Sequence, residues 1–95
     1  MQVPIKEVVS IFKRNIERDK LRNTPSRITI LKAAYSHKGH FNAETIYNTV
    51  KGDAQSVSLA TVYNTLELLQ QYGLVRTHKF GNQHTEYEAC LLYTS

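Results

Sequence analysis

Ser58-Leu59-Ala60-Thr61-Val62-Tyr63-Asn64-Thr65-Leu66-Glu67-Leu68-Leu69-Gln70-Gln71-Tyr72-Gly73 runs directly into Leu74-Val75-Arg76-Thr77-His78-Lys79-Phe80-Gly81-Asn82-Gln83-His84-Thr85-Glu86-Tyr87-Glu88. In the first half, Leu59, Val62, Leu66, Leu69 and Gly73 fall on one helical stripe, while Ala60, Thr61, Asn64 and Glu67 lie elsewhere. Ser58 opens this helix and Gly73 reads as its stop. The second half is two short β-prone runs around Gly81-Asn82, the pattern of a hairpin with a two-residue turn.

Three further helices precede this unit. Ile5, Val8, Val9, Phe12 and Ile16 recur at amphipathic spacing over residues 4 to 20, with Lys6, Lys13, Arg14 and Lys20 on the other face. Thr24-Pro25 is a start signal, because Thr caps and Pro suits the first helical position, and the second helix runs to about Ser36. Asn42 caps a third helix from Ala43 to about Lys51, with Glu44 in its first turn and Gly52-Asp53 ending it. The segment containing His40 reads as a loop. The order helix, helix, helix, helix, hairpin makes a mainly α fold with a C-terminal β-hairpin, the winged helix-turn-helix arrangement. Winged helices also serve as protein-docking modules, so the pattern by itself leaves DNA binding and protein interaction open.

With 95 residues the chain fits one domain, and a two-domain enzyme is excluded. A hydrophobic fraction of 41% and a charged fraction of 21% mark a folded core rather than disorder. The first 38 residues hold nine bases and three acids, a balance of +6, whereas the remainder balances at −2. Such a basic first third favours a polyanionic partner, nucleic acid ahead of membrane, while a solvated helix face rich in Lys stays open as the alternative. No apolar run reaches the ~18 residues of a membrane span, and the N-terminus lacks a signal-peptide apolar block, so a cytoplasmic location is expected. No phosphate-binding glycine loop, HExxH or nucleophile elbow is present, and no enzyme is expected.

A helix reading the major groove needs a small, hydrogen-bonding N-terminal face. Ser58, Ala60, Thr61, Tyr63, Asn64 and Thr65 supply one. Asn64 suits adenine, the Tyr63 ring suits a thymine methyl, and Arg22 and Arg27 suit the phosphates. On pattern alone Ser58 serves equally as a plain cap, and Tyr63 as the edge of the core stripe. His37, His40, His78 and His84, with Glu86 and Glu88, raise the question of metal. If Phe80 and Gln83 flank the turn, Lys79 pairs with His84 and His78 with Thr85, which puts the two wing histidines on opposite faces and excludes a shared metal. His40 and Glu88 would need a tertiary contact to meet, and two ligands do not close a site.

The single cysteine, Cys90, forms neither an internal disulfide nor a zinc site. The tail Cys90-Leu91-Leu92-Tyr93-Thr94-Ser95 back-translates to a string resembling a sequencing-library adapter, and residues 90–95 are therefore read as non-native. A longer gene product is expected.

Four motifs in order, Leu21-Arg22-x-Thr24-Pro25-x-Arg27-x-x-Ile30-Leu31, His40-Phe41-Asn42-Ala43-Glu44-x-Ile46-Tyr47, Ser58-x-Ala60-Thr61-Val62-Tyr63-Asn64-Thr65-Leu66 and Gly73-Leu74-Val75, closely resemble the DNA-binding domain of the ferric uptake regulator family over residues 8 to 88. The resemblance implies a metal-dependent transcriptional repressor that binds AT-rich inverted repeats of double-stranded DNA as a homodimer. It implies that the helix of residues 58–72 enters the major groove with Ala60, Thr61, Tyr63 and Asn64 near DNA, that Arg22 reaches the minor groove, and that Arg27 lies close to the backbone. Many members carry Arg where this chain has Asn64. It also implies that His40 and Glu88 are two ligands of a regulatory divalent metal, iron, zinc or manganese, whose other ligands lie in a hinge and a C-terminal dimerisation domain, the latter expected to be absent from this sequence. With two ligands the chain alone is not expected to bind metal tightly, and Glu88 in place of Asp leans away from peroxide sensing. The rival readings are a metal-independent winged-helix DNA binder and a protein-interaction module.

Overall fold

A computed structural model describes residues 4–52, 57–80 and 84–90. In chain order the elements are α1 (Ile5–Arg18), α2 (Pro25–Ser36), β1 (His40–Phe41), α3 (Ala43–Val50), α4 (Leu59–Gln71), β2 (Val75–Phe80) and β3 (His84–Ala89). The fold is the expected winged helix, four helices with a small antiparallel sheet.

Three helices begin where the sequence places a capping side chain. The Thr24 hydroxyl accepts from the Arg27 N–H at 3.3 Å, the Asn42 carbonyl from Thr45 at 2.8 Å and the Ser58 hydroxyl from Thr61 at 3.1 Å. Each bond satisfies one of the first-turn N–H groups that have no partner inside the helix. Both α1 and α4 stop by folding the next two N–H groups back onto the last turn. After α1, Lys20 donates to Glu17 and Leu21 to Ile16; after α4, Gly73 donates to Gln70 and Leu74 to Leu69. This closure needs a left-handed residue, which is Gly73 at φ 76° in one case and Lys20 at φ 59° in the other. Glycine takes that conformation freely, whereas lysine does so at a cost of about 1 kcal/mol.

Phe12 and Ile16 of α1, Ile30 and Leu31 of α2, Ile46 of α3 and Leu66 of α4 meet in one buried cluster. Val8 of α1 and Leu69 of α4 belong to the same cluster, and Leu74 and Val75 carry it into β2. The Tyr35 hydroxyl on α2 hydrogen-bonds the Leu74 carbonyl at 2.5 Å with the Cys90 carbonyl at 3.1 Å, and the Cys90 N–H donates to Leu74. The wing is thereby fastened at its base to the helical layer. No helix among the described residues is long and apolar enough to cross a membrane.

Two expectations are corrected. The segment read as a loop before the third helix contains β1, which pairs antiparallel with β3, so the sheet has three strands in the order β1-β3-β2. The hairpin register also differs by one residue: Phe80 pairs with His84 rather than with Gln83, and His78 pairs with Glu86 rather than with Thr85. Burial explains the shift. Val75 and Tyr87 are both buried, and the pairs Val75↔Ala89 and Thr77↔Tyr87 put them on one face, whereas the expected register would set Glu88 opposite Val75. The expected Gly81-Asn82 turn, the helix stop at Asp53 and tail residues 91–95 lie outside the described residues.

Candidate nucleic-acid interface and metal cluster

The first two turns of α4 offer a small, polar outer face. Ser58, Ala60, Tyr63 and Asn64 are exposed and Thr61 is partly so. Tyr63 is 48% exposed, which separates its ring from the core stripe and leaves it free to meet a ligand. Ser58 does act as a cap, and its hydroxyl also lies 2.9 Å from that of Thr61, so the two hydroxyls form one hydrogen-bonded unit at the helix start. The first-turn N–H groups and these hydroxyls are suited to phosphate oxygens. Thr65 must be removed from the expected set. It lies three residues after Val62 and four before Leu69, both at 0% exposure, and it is itself fully buried at 0% with a hydroxyl that has no hydrogen-bond partner among the described residues.

The basic residues form a second group. Arg22 is exposed in the turn between α1 and α2, and Arg27 is partly buried at the start of α2. The Arg27 guanidinium donates to the Arg22 carbonyl, which braces the turn that carries the Arg22 side chain. Lys6, Lys13, Arg14 and Lys20 are exposed on or just after α1, as the sequence pattern requires.

The outer face of the sheet holds a third group. Glu88 on the central strand β3 pairs with His40 on β1 and with Arg76 on β2, while His78 pairs with Glu86. Positions 40, 76, 78, 86 and 88 therefore share one face, and Phe41 and Tyr87, with ring centroids 6.2 Å apart, occupy the other. The imidazoles of His40 and His78 stack across β3 with centroids 4.3 Å apart. Oε1 of Glu88 lies 3.0 Å from Nε2 of His78 and 3.7 Å from Nε2 of His40, and Oε1 of Glu86 lies 3.4 Å from Nδ1 of His40.

His40 and Glu88, which needed a tertiary contact, are thus brought together by the pairing of β1 with β3. The expectation that the two wing histidines take opposite faces fails with the register, since position 78 now has the parity of 84, 86 and 88. The His84 side chain lies outside the described residues. His78 and Glu86, raised among the histidines and carboxylates of the sequence, were kept out of the predicted site by the assumed register. The available signal was alternation: once Val75 and Tyr87 are both assigned inward, His78, Glu86 and Glu88 must point outward together. One donor atom each from His40, His78 and Glu88 lies within 4.8 Å of the others. Imidazole nitrogen and carboxylate oxygen are the donors that zinc, iron and manganese accept, so the residues fit a divalent metal.

Comparison with known proteins bears on the family and the fold. The model of the Ferric uptake regulator family matches residues 18–93. The ferric uptake regulation protein of Campylobacter jejuni is 33% identical over 79 residues, covering 81% of this chain and 50% of that protein. The peroxide operon regulator of Bacillus subtilis is 32% identical over 68 residues, covering 72% of this chain and 47% of that protein. This chain spans about half the length of these two relatives. The solved Helicobacter pylori ferric uptake regulator, described as having three functional metal binding sites, superposes with a TM-score of 0.86 over 97% of this chain and 61% of that one, at 16% identity, which speaks for the fold. On the family match, the four motifs and the winged-helix fold together, the chain belongs to the ferric uptake regulator family.

Proposed function

We propose that this chain is the DNA-binding portion of a metal-responsive transcriptional repressor that acts in the cytoplasm on AT-rich inverted-repeat operators. The observation that carries the reading is the exposed face of α4, where Ser58, Ala60, Thr61, Tyr63 and Asn64 present small polar groups and one free aromatic ring. Laid in the major groove, Ser58 and Thr61 bind phosphate, Asn64 reads adenine, and Tyr63 packs on a thymine methyl beside Ala60. Arg22 enters the minor groove and Arg27 lies along the backbone, both releasing counterions. This chain spans about half the length of those relatives, and on the family resemblance the complete protein is read as a homodimer setting two winged helices on successive half-sites. His40 and Glu88 hold a divalent metal (iron, zinc or manganese) jointly with ligands outside this chain. When bound, such an ion supplies a bridge between the two domains, and the regulation follows from its greater affinity for the DNA-competent arrangement.

Fluorescence-anisotropy titration on an operator duplex and a scrambled one tests the reading. Tyr63→Ala should cost about 1–3 kcal/mol on the operator and little on the scrambled duplex. Equal losses on both would remove Tyr63 from base contact. Arg22→Ala should lower the slope of log affinity against log salt by about 1. Salt-independent behaviour of the unsubstituted chain would leave the protein-interaction reading in its place.

A further inference from the structure

We infer that His78 is a third metal ligand, so that this domain holds a divalent cation by itself through His40, His78 and Glu88, with Glu86 positioning the His40 ring. The inference rests on reading His40 and Glu88 as ligands, and adds to that reading a donor and a positioning carboxylate.

Convergence is the first argument. Two imidazoles carried on β1 and β2, the strands flanking β3, direct their Nε2 atoms at the same carboxylate oxygen, Oε1 of Glu88, at 3.7 and 3.0 Å. A tetrahedral centre with ligand bonds of 2.0–2.1 Å separates its donors by roughly 3.3 Å. The two spacings to Glu88 bracket that value, and one donor atom each of His40, His78 and Glu88 lies within 4.8 Å of the others, so side-chain rotation can close three donors around one ion.

The second argument is the environment of His40. A ligating imidazole commonly offers its other ring nitrogen to a carboxylate, which fixes tautomer and orientation. His40 has its Nε2 toward Glu88 and its Nδ1 3.4 Å from Oε1 of Glu86. Glu86 therefore does for His40 what such an outer carboxylate does at a metal centre. The third argument is rigidity. All four residues sit on one three-stranded sheet in fixed register, with Phe41 and Tyr87 buried beneath them. A two-histidine, one-carboxylate set with open positions suits zinc or ferrous iron, and the vacant positions remain available to further ligands. The residues of this domain then form a preassembled half-site rather than two orphaned ligands.

The test is titration of the full 95-residue chain with Co2+, read by its visible d–d absorption, followed by displacement with Zn2+. One Co2+ per chain is expected to bind. His78→Ala should weaken binding on the order of 100-fold, as should His40→Ala, and Glu86→Ala about 10-fold. His37→Ala is the control, because His37 faces the Thr49 hydroxyl at 3.4 Å and belongs to no donor group among the described residues. In the unsubstituted chain, Zn2+ should shift the Nε2 resonances of His40 and His78 together while those of His37 stay in place, which requires no variant to fold. If His40→Ala and Glu88→Gln abolish binding while His78→Ala leaves it unchanged and its resonance is unmoved, the inference falls and the two-ligand reading survives. If Co2+ binds without regard to all three residues, both fall. No one-to-one binding up to millimolar Co2+ overturns the inference, while DNA binding by the same preparation would leave the DNA-binding reading standing.

Discussion

The start of α4 and the outer face of the sheet both present polar groups to solvent, but they are assembled in opposite ways. Ser58, Ala60, Thr61, Tyr63 and Asn64 lie in one short run, and the bonds that organise them, Thr61 N–H to Ser58 and hydroxyl to hydroxyl, span three residues. His40, His78, Glu86 and Glu88 come from three strands and meet only because β1 and β2 both pair with β3 in one register. A locally wired surface tolerates damage elsewhere. A surface wired through register fails as a unit, since a slip of one residue turns every side chain of a strand to the other face.

The largest effect should come from the joint between the two. Gly73 closes α4 in the left-handed region at φ 76° and leads directly into β2. Gly73→Ala should destabilise the chain by about 1–2 kcal/mol in urea unfolding. Amide exchange should accelerate more in β2 and β3 than in the first turn of α4. Uniform acceleration would mean that the two surfaces are not independently wired.

The converse cut is Ser58→Ala, which removes the cap and should cost about 1 kcal/mol. Amides at the start of α4 should then lose protection while those paired between β2 and β3 keep theirs. Protection lost in the sheet as well would break the distinction drawn above.

Thr65→Val is expected to be smaller and opposite in sign. The Thr65 hydroxyl is buried with no hydrogen-bond partner among the described residues, so an apolar group of the same shape should leave stability unchanged or raise it by less than about 1 kcal/mol. Duplex affinity should not change. A clear loss of stability would show that the hydroxyl has a bonded partner after all.

The smallest effect lies at the other end of α4, where the wiring is long-range again. The Tyr72 hydroxyl donates to Asp19 Oδ2 at 2.9 Å, linking the end of α4 to the end of α1. Hydrogen bonds from Arg18 first and Tyr72 second hold the Asp19 carboxyl below its ordinary 3.8, while burial pushes the Tyr72 hydroxyl up, helped by Asp19. A depressed carboxyl stabilises the fold above its unfolded value and loses that contribution as pH falls through the folded one. The stability gap between the unsubstituted chain and Asp19→Asn should therefore be fully present above pH 3.8 and shrink below it. A gap that does not vary with pH would assign the effect of Asp19 to something other than its charge.

The sequence by itself determined the four helices, because caps at Thr24, Asn42 and Ser58, the stop at Gly73 and the apolar stripe of α4 are all relations between residues within a turn or two of one another. Its motifs also sufficed to place the chain in its family. Only the tertiary structure decided the rest. Threonine reads as polar, yet packing of α4 against α2 and α3 buried Thr65 with Val62 and Leu69. The two-residue strand β1 is too short to show a period, and its existence depends on β3 lying alongside it. The register of the wing, and with it the meeting of His40, His78 and Glu88, was set by the demand that Val75 and Tyr87 share the buried face. That is a condition on residues far apart in the chain, which turn composition at Gly81-Asn82 does not specify.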